Sequence, residues 1–243
     1  MNSNIKETLK VIRFFDINRY LKWKFNQEPK TFKYELSIGI IVKNEAKYIQ
    51  EWIEYHLLVG VNHFYVYDNE STDDLKIKLK PYIDAGIVEY IYFPGQHRQI
   101  NMVNNVVKRA KNETKWLAII DTDEFLVPLD GHKTITDALK EYKDAPGIEV
   151  NWVIYGDSGH EKETKGLVIE RFKEHSLPDY KVNRNVKTIC NPRKVLQASA
   201  HSEKYFGKLK SVNSANEINN EYFLDRKPVF KKFKNQSLFH QKF

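Results

Sequence analysis

Asp121, Asp123 and Glu124 stand at the end of the apolar run Trp116-Leu117-Ala118-Ile119-Ile120. Such a run is the pattern of a strand covered on both faces inside a parallel sheet. Carboxylates set against it are costly unless a positive charge compensates them. Asp121 and Asp123 lie two residues apart, so in extended chain their side chains share a face. Two hard oxygen donors facing one point suit Mg²⁺ or Mn²⁺, which also take oxygens from a substrate phosphate. The bland alternative is that both acids only cap the turn that follows.

A second group of reactive side chains comes later. Tyr155-Gly156-Asp157-Ser158-Gly159-His160 follows an apolar run and puts a carboxylate and an imidazole in one turn. Asp157 is the first candidate for a base that takes a proton from a hydroxyl, with His160 and Glu161 behind it. An Asp in such a turn also bonds its own backbone, which is the rival reading. His97-Arg98 offers a guanidinium that can pair with an anion.

These residues need a frame, and the pattern supplies one. The stretch 36–42 reads as a first core strand, with a helix after it carrying Ile49, Trp52, Ile53 and Leu57 on one face. Asn44 is the expected N-cap of that helix and Gly60 its stop. A second strand covers 63–67, and a helix over 73–80 ends at Pro81. A third strand spans 87–93, followed by a helix with Ile100, Val103, Val107 and Ala110 inward. The opening stretch is the fourth strand.

Strand and helix alternate, which predicts a parallel α/β sheet flanked by helices. The polar clusters at 43–45, 68–73, 96–98 and 121–124 then all fall just after a strand's carboxyl end. In a parallel sheet those ends share one edge, where ligands bind. No G-x-G-x-x-G and no Walker A lysine is present, so an ordinary dinucleotide or P-loop site is excluded. After Val127-Pro128 the pattern changes. A helix over 134–142, a strand over 148–153 and shorter strands at 167–172, 186–191 and 194–198 are expected. A polar connector at 211–220 and a basic helix or tail from about Tyr222 follow. The second half reads as a mixed-sheet continuation of one domain.

Hydrophobic residues make up 41% of the 243 and charged ones 29%, so a packed core is expected and wholesale disorder is not. The single cysteine, Cys190, excludes an internal disulfide framework and fits a reducing, cytoplasmic setting. No apolar run reaches the length of a spanning helix, and the N-terminus does not read as a signal peptide. The net charge of +7 suits an anionic partner. Residues 1–34 hold eight Lys or Arg against three acids, with aromatics between them. Such a segment could lie on the cytoplasmic face of an anionic membrane as a peripheral contact. Its imperfect helical spacing favours instead a helix docked on the domain. Basic residues are spread out and no nucleic-acid motif is present, so nucleic acid is not an expected partner.

Val42-Lys43-Asn44-Glu45, Asp68-Asn69-Glu70-Ser71-Thr72-Asp73 and Ile119-Ile120-Asp121-Thr122-Asp123-Glu124-Phe125, in that order, resemble the nucleotide-diphospho-sugar glycosyltransferases of GT-A fold. Trp152 with the turn at 155–160, and Lys187 through Asn191-Pro192 to Val195 and His201, are similar to glycosyltransferase family 92 and its bacterial relatives in the family 2-like group. The resemblance runs from about residue 36 to about 233. It implies a GT-A domain over 35–235, divided into a nucleotide-binding half (35–127) and an acceptor-binding half (128–235), with a tail at 236–243. It also implies that Asp68, beside Asn69, bonds the donor base, uracil, and that Lys43 and Asn44 wall the nucleotide pocket. Arg98 would meet the diphosphate or base. Asp121 would touch ribose or metal, Asp123 would ligate the metal, and His201 would make a later metal or diphosphate contact. The family's Asn-His-Tyr segment stands here as Asn220-Glu221-Tyr222.

The expected activity is a metal-dependent, inverting transfer of a hexose from a UDP-sugar to a hydroxyl of a glycan or lipid-linked glycan. The departing diphosphate needs its charge neutralised, the acceptor needs a base, and water must be kept out. Two rivals stand beside it. A haloacid-dehalogenase-type phosphohydrolase also uses Asp-x-Asp after an apolar strand, normally the first strand. A catalytically degenerate sugar-nucleotide-binding module would bind without transfer.

Overall fold

The computed structural model describes residues 15–238 apart from residues 26, 143, 161 and 163. Glu161, and the basic residues before position 15, lie outside the described residues. Helix α1 (Ile17–Lys24) comes first, then β1 (Tyr34–Val42), α2 (Ile49–Leu58), β2 (His63–Asp68), α3 (Leu75–Asp84), β3 (Val88–Tyr92), α4 (Gln99–Ala110) and β4 (Thr114–Ile119). The second half holds β5 (Glu124–Pro128), α5 (Ile135–Leu139), β6 (Gly147–Tyr155), α6 (Val168–Arg171), β7 (Val186–Cys190), β8 (Val195–Gln197), β9 (Lys204–Tyr205) and β10 (Phe233–Leu238).

Eight strands form one sheet in the order β3-β2-β1-β4-β7-β6-β10-β5. β1 to β4 are mutually parallel. β7 runs against both β4 and β6, and β10 runs with β6 and against β5. The expected arrangement is therefore present: a parallel half with helices on its faces, continued by a mixed half. β4 and β5 stand four places apart in this order, yet only residues 120–123 join them. Four strand spacings in a flat sheet amount to about 19 Å, more than five extended residue steps can span. The sheet must curl so that its far edge returns to the end of β4. That curl puts the 121–124 link at its mouth.

Alternation sorts the core into two layers. Ile38, Ile40, Phe64, Val66, Ile148 and Val150 pack with Trp52, Leu75 and Leu79 on one face. Tyr65, Tyr67, Leu117 and Ile119 pack with Val103, Val106, Cys190 and Tyr205 on the other. On that second face Gly39 lets α4 approach β1 closely, since a Cβ there would lie 2.8 Å from Val106. The α1 helix is docked, as its imperfect spacing implied. Asp16 caps it and pairs with Lys111 at 2.7 Å, and Trp23 stacks on Phe206.

Several local expectations need correction. Asn44 does not cap α2, whose N-cap is Tyr48, because Asn44 lies at φ +59° and its side chain turns to the next loop. Helix α3 continues through Pro81, and the carbonyl this leaves without a donor, at Ile77, sits on the solvent face. Ile100 is exposed, while Met102 and Val106 join Val103, Val107 and Ala110 inside. The stretch 167–172 holds the short helix α6, not a strand. The expected C-terminal helix or tail is instead β10, inserted between β6 and β5, so residues 236–238 belong to the sheet.

Candidate active site

The acidic centre lies where β4 ends. Single ligand atoms of Asp121, Asp123 and Glu124 all fall within 4.8 Å of one another. Glu124 opens β5 and is almost fully buried, and its Oε2 accepts the Asp121 N–H at 3.0 Å. Its backbone is fixed by Trp52, whose indole N–H donates to the Glu124 carbonyl at 2.8 Å. Lys187, on β7, is 2% exposed and reaches into this centre. Its Nζ lies 2.6 Å from Asp121 Oδ2 and 3.7 Å from Glu124 Oε1. Burial pulls the Lys187 ammonium down, but Glu124 and Asp121 outweigh it and keep the group charged. Burial, with Asp121 and Asp123 as like charges, pushes the Glu124 carboxyl well above the usual range.

The donor set fits a hard divalent cation. It is all oxygen and compact, and one ammonium does not balance the Asp121 and Asp123 carboxylates even with Glu124 protonated beside them. Asn235, fully buried beside Glu124, adds an amide that makes no hydrogen bond of normal geometry. His201 stands near but outside the three-acid cluster. Its Nδ1 meets the Val186 carbonyl at 3.2 Å, and its ring packs edge-on against Trp152. Burial, and then the Lys187 charge, hold His201 below its ordinary pKa and so neutral.

The other edge residues brace one another. Asp68 ends β2 and is buried; its Oδ1 accepts the Ser71 N–H at 2.9 Å and its Oδ2 the Tyr90 hydroxyl at 2.5 Å. The turn-capping role is thus present. Asn69 donates to the carbonyls of Phe93 and Gly95, joining the second loop to the third. Asn44 accepts the Thr72 N–H at 2.7 Å and its own N–H meets Ser71 Oγ, joining the first loop to the second. Lys43 beside it is exposed. Arg98 lies over the Phe93 ring at 4.4 Å, with its Nε buried and unpartnered.

Asp157 follows β6, whose carboxyl end shares the edge of β4 because β7 runs against both. It accepts the Gly159 N–H at 3.0 Å, the local turn bond. His160 Nε2 donates to the Arg171 carbonyl at 3.1 Å, and Nδ1 is the ring nitrogen that this bond leaves unused. Asn220 accepts Lys210, and Arg226 clamps Glu149 and Asn219.

Lys187 is the residue that motif reading undervalued. Its signal was present: a lysine inside the apolar strand Val186-Lys187-Thr188-Ile189 must find an acid if it is buried. Glu124 was visible only as part of a polar cluster. Its burial depends on β10 closing the sheet beside it.

Fold and site together define an α/β domain with the curled, largely parallel sheet and acidic carboxyl edge of the GT-A type. The chain belongs to glycosyltransferase family 92, whose family model matches residues 33–243. A family 92 protein of Oryza sativa subsp. japonica is 28% identical over 127 residues, which are 51% of this chain and 21% of that protein. A β-1,4-galactosyltransferase of Caenorhabditis elegans is 27% identical over 168 residues, 60% of this chain and 39% of that protein. Staphylococcus aureus TarS 1-349 is 15% identical, with 65% of this chain and 47% of that one covered at a TM-score of 0.42. The matched stretches thus span less than half of each relative's length.

Proposed function

We propose that this chain transfers a hexose from a nucleoside-diphosphate sugar to an acceptor hydroxyl, with inversion, using a divalent ion at the 121–124 link. The observation that carries this reading is the cluster of Asp121, Asp123 and Glu124 at the carboxyl edge of a family 92 sheet. Asp121 and Asp123 would hold the ion, with Glu124 behind them. When bound, Mn²⁺ or Mg²⁺ would supply Lewis-acid neutralisation of the leaving diphosphate. Asn44, Asp68 and Asn69 hold the loops that would frame the nucleotide. Arg98 stands at the third loop as a cation for phosphate or base. Asp157 is the first candidate to accept the acceptor's proton, and His160 Nδ1 the second. The acceptor is a glycan or lipid-linked glycan.

The nematode relative is named a β-1,4-galactosyltransferase. UDP-galactose is therefore the first donor to test, and a β-linkage from that α-linked donor is inversion. The test is product formation from a panel of UDP-sugars with and without Mn²⁺. Asp123→Asn is expected to lower kcat/KM by on the order of a hundredfold or more while the fold persists. UDP binding without transfer by the unaltered chain, unchanged in Asp123→Asn, would return the non-catalytic binding module instead. The family assignment leaves the phosphohydrolase alternative without support.

A further inference from the structure

A divalent ion and Lys187 want the same oxygen. The Lys187 ammonium is buried, holds Asp121 Oδ2 at 2.6 Å and approaches Glu124 at 3.7 Å. Its third neighbour is an aromatic face: Nζ lies 6.0 Å from the centre of the Trp152 ring. Strand register explains how it gets there. Lys187 pairs with Val150, so both point to the α2 side of the sheet, whereas Thr188 points to the other side. The curled sheet brings the start of β5 over that position. Trp152 shares the β6 face of Val150 and roofs the ammonium. A lysine so placed cannot leave for solvent as a surface residue would. Its charge is a permanent part of the acidic centre.

We propose that Lys187 is a built-in counter-cation that competes with the divalent ion for Asp121. This rests on the metal-bearing reading above and deepens it. Without ion or nucleotide, Lys187 offsets the Asp121 and Asp123 carboxylates, which would otherwise repel each other, while it also meets Glu124. It thereby keeps the centre assembled, and it also weakens the free protein's grip on a cation. A nucleoside diphosphate brings its own negative charge, which favours both cations at once. Ion binding should therefore be weak alone and strong with nucleotide. The Trp152 face and Glu124 give the ammonium a place to remain when Asp121 is taken.

The experiment reads Mn²⁺ binding directly, by calorimetry and by the electron-spin signal of free Mn²⁺, with and without UDP and with no turnover. Lys187→Met is expected to bind Mn²⁺ about tenfold more tightly or better in the absence of UDP. Lys187→Arg, which keeps the charge, is expected to stay within about threefold of the unaltered chain, a limit well inside that tenfold effect. The UDP-dependent gain in Mn²⁺ affinity should shrink in Lys187→Met. In EDTA the same variant should melt lower, and Mn²⁺ should raise its Tm more than it raises that of the unaltered chain. If Lys187→Met is insoluble, Lys187→Gln carries the same expectations. Mn²⁺ binding that is no tighter in the charge-removed variants, while the unaltered chain binds Mn²⁺ with UDP, overturns the role of Lys187 and leaves the glycosyltransferase reading intact. Failure of every protein to bind Mn²⁺ while UDP still binds removes the metal reading and this inference together.

Discussion

Asp68 ends β2 and Asp121 follows β4, the two strands that flank β1, but their carboxylates are restrained in different ways. Asp121 faces an ammonium, whereas Asp68 is held by neutral donors, the Ser71 N–H and the Tyr90 hydroxyl. The Asp68 contact raises the Tyr90 hydroxyl pKa, after burial, which means the phenol stays a donor at any working pH. Tyr90→Phe deletes one donor and leaves a buried carboxylate oxygen short of a partner. A hydrogen bond to a charged group is worth about 1.5–3 kcal/mol, and the half-exposed phenol argues for the lower end. Chemical denaturation should show a loss of about 1–2 kcal/mol. If Asp68 also meets a donor base, the same variant should change the KM for the donor more than kcat. A change confined to stability would mark Asp68 as a turn brace only.

At the scale of elements, the four parallel strands and their edge were legible because each is an apolar run closed by polar residues. β10 was not legible. Phe233-Lys234-Asn235-Gln236-Ser237 is polar and basic, and reads as tail, yet it lies inside the sheet between β6 and β5. Backbone pairing on both sides places it there, and the side chains it buries beside Phe233 are polar ones, Asn235, Gln236 and Ser237, which no apolar pattern announces. The acids at 121–124 were legible as a cluster at the end of β4, but the ammonium that meets them comes from β7, more than sixty residues away in sequence. Spacing within one motif carries no information about that. The same holds for β6 and β9, which meet only in three dimensions. Gly147 on β6 lies directly under Tyr205, and a Cβ there would collide with the phenol oxygen and fall 2.8 Å from Cζ. Tyr205 is buried, so it cannot swing out. Gly147→Ala is expected to destabilise the fold by about 1–3 kcal/mol, the range for overpacking. Pairing it with Tyr205→Leu should recover part of that loss in a double-mutant cycle; additive losses would mean the two sites do not share the strain.

Across the whole molecule, two buried groups tilt stability with pH in opposite senses. His56 sits in the core, bonded to the Trp52 carbonyl and the Leu126 N–H. Burial lowers its pKa from 6.5 to about 3. Between those values the unfolded chain holds a proton that the folded chain refuses, so stability falls as the pH drops through that window. Glu203 behaves in the reverse way: burial, against a bond from Thr188 and with help from Glu149, raises it from 4.5 to about 8. Between those values the folded chain holds the extra proton, and stability falls as the pH rises. Each group alone sets a limiting slope of about 1.4 kcal/mol per pH unit. From 4.5 to 6.5 the two slopes oppose and largely cancel. Of the two, only His56 acts below that interval and only Glu203 above it; the raised Glu124 adds to the Glu203 side and the lowered His201 to the His56 side. The expected profile is therefore a plateau with an acid limb and a neutral-to-alkaline limb. Glu203→Gln removes the titration on one side only. Melting temperatures of this variant and the unaltered chain should coincide near pH 4 and separate as the pH approaches 8, the variant being higher. An equal offset at every pH would show that Glu203 is not held neutral in the fold, because a lost contact shifts stability without following protonation.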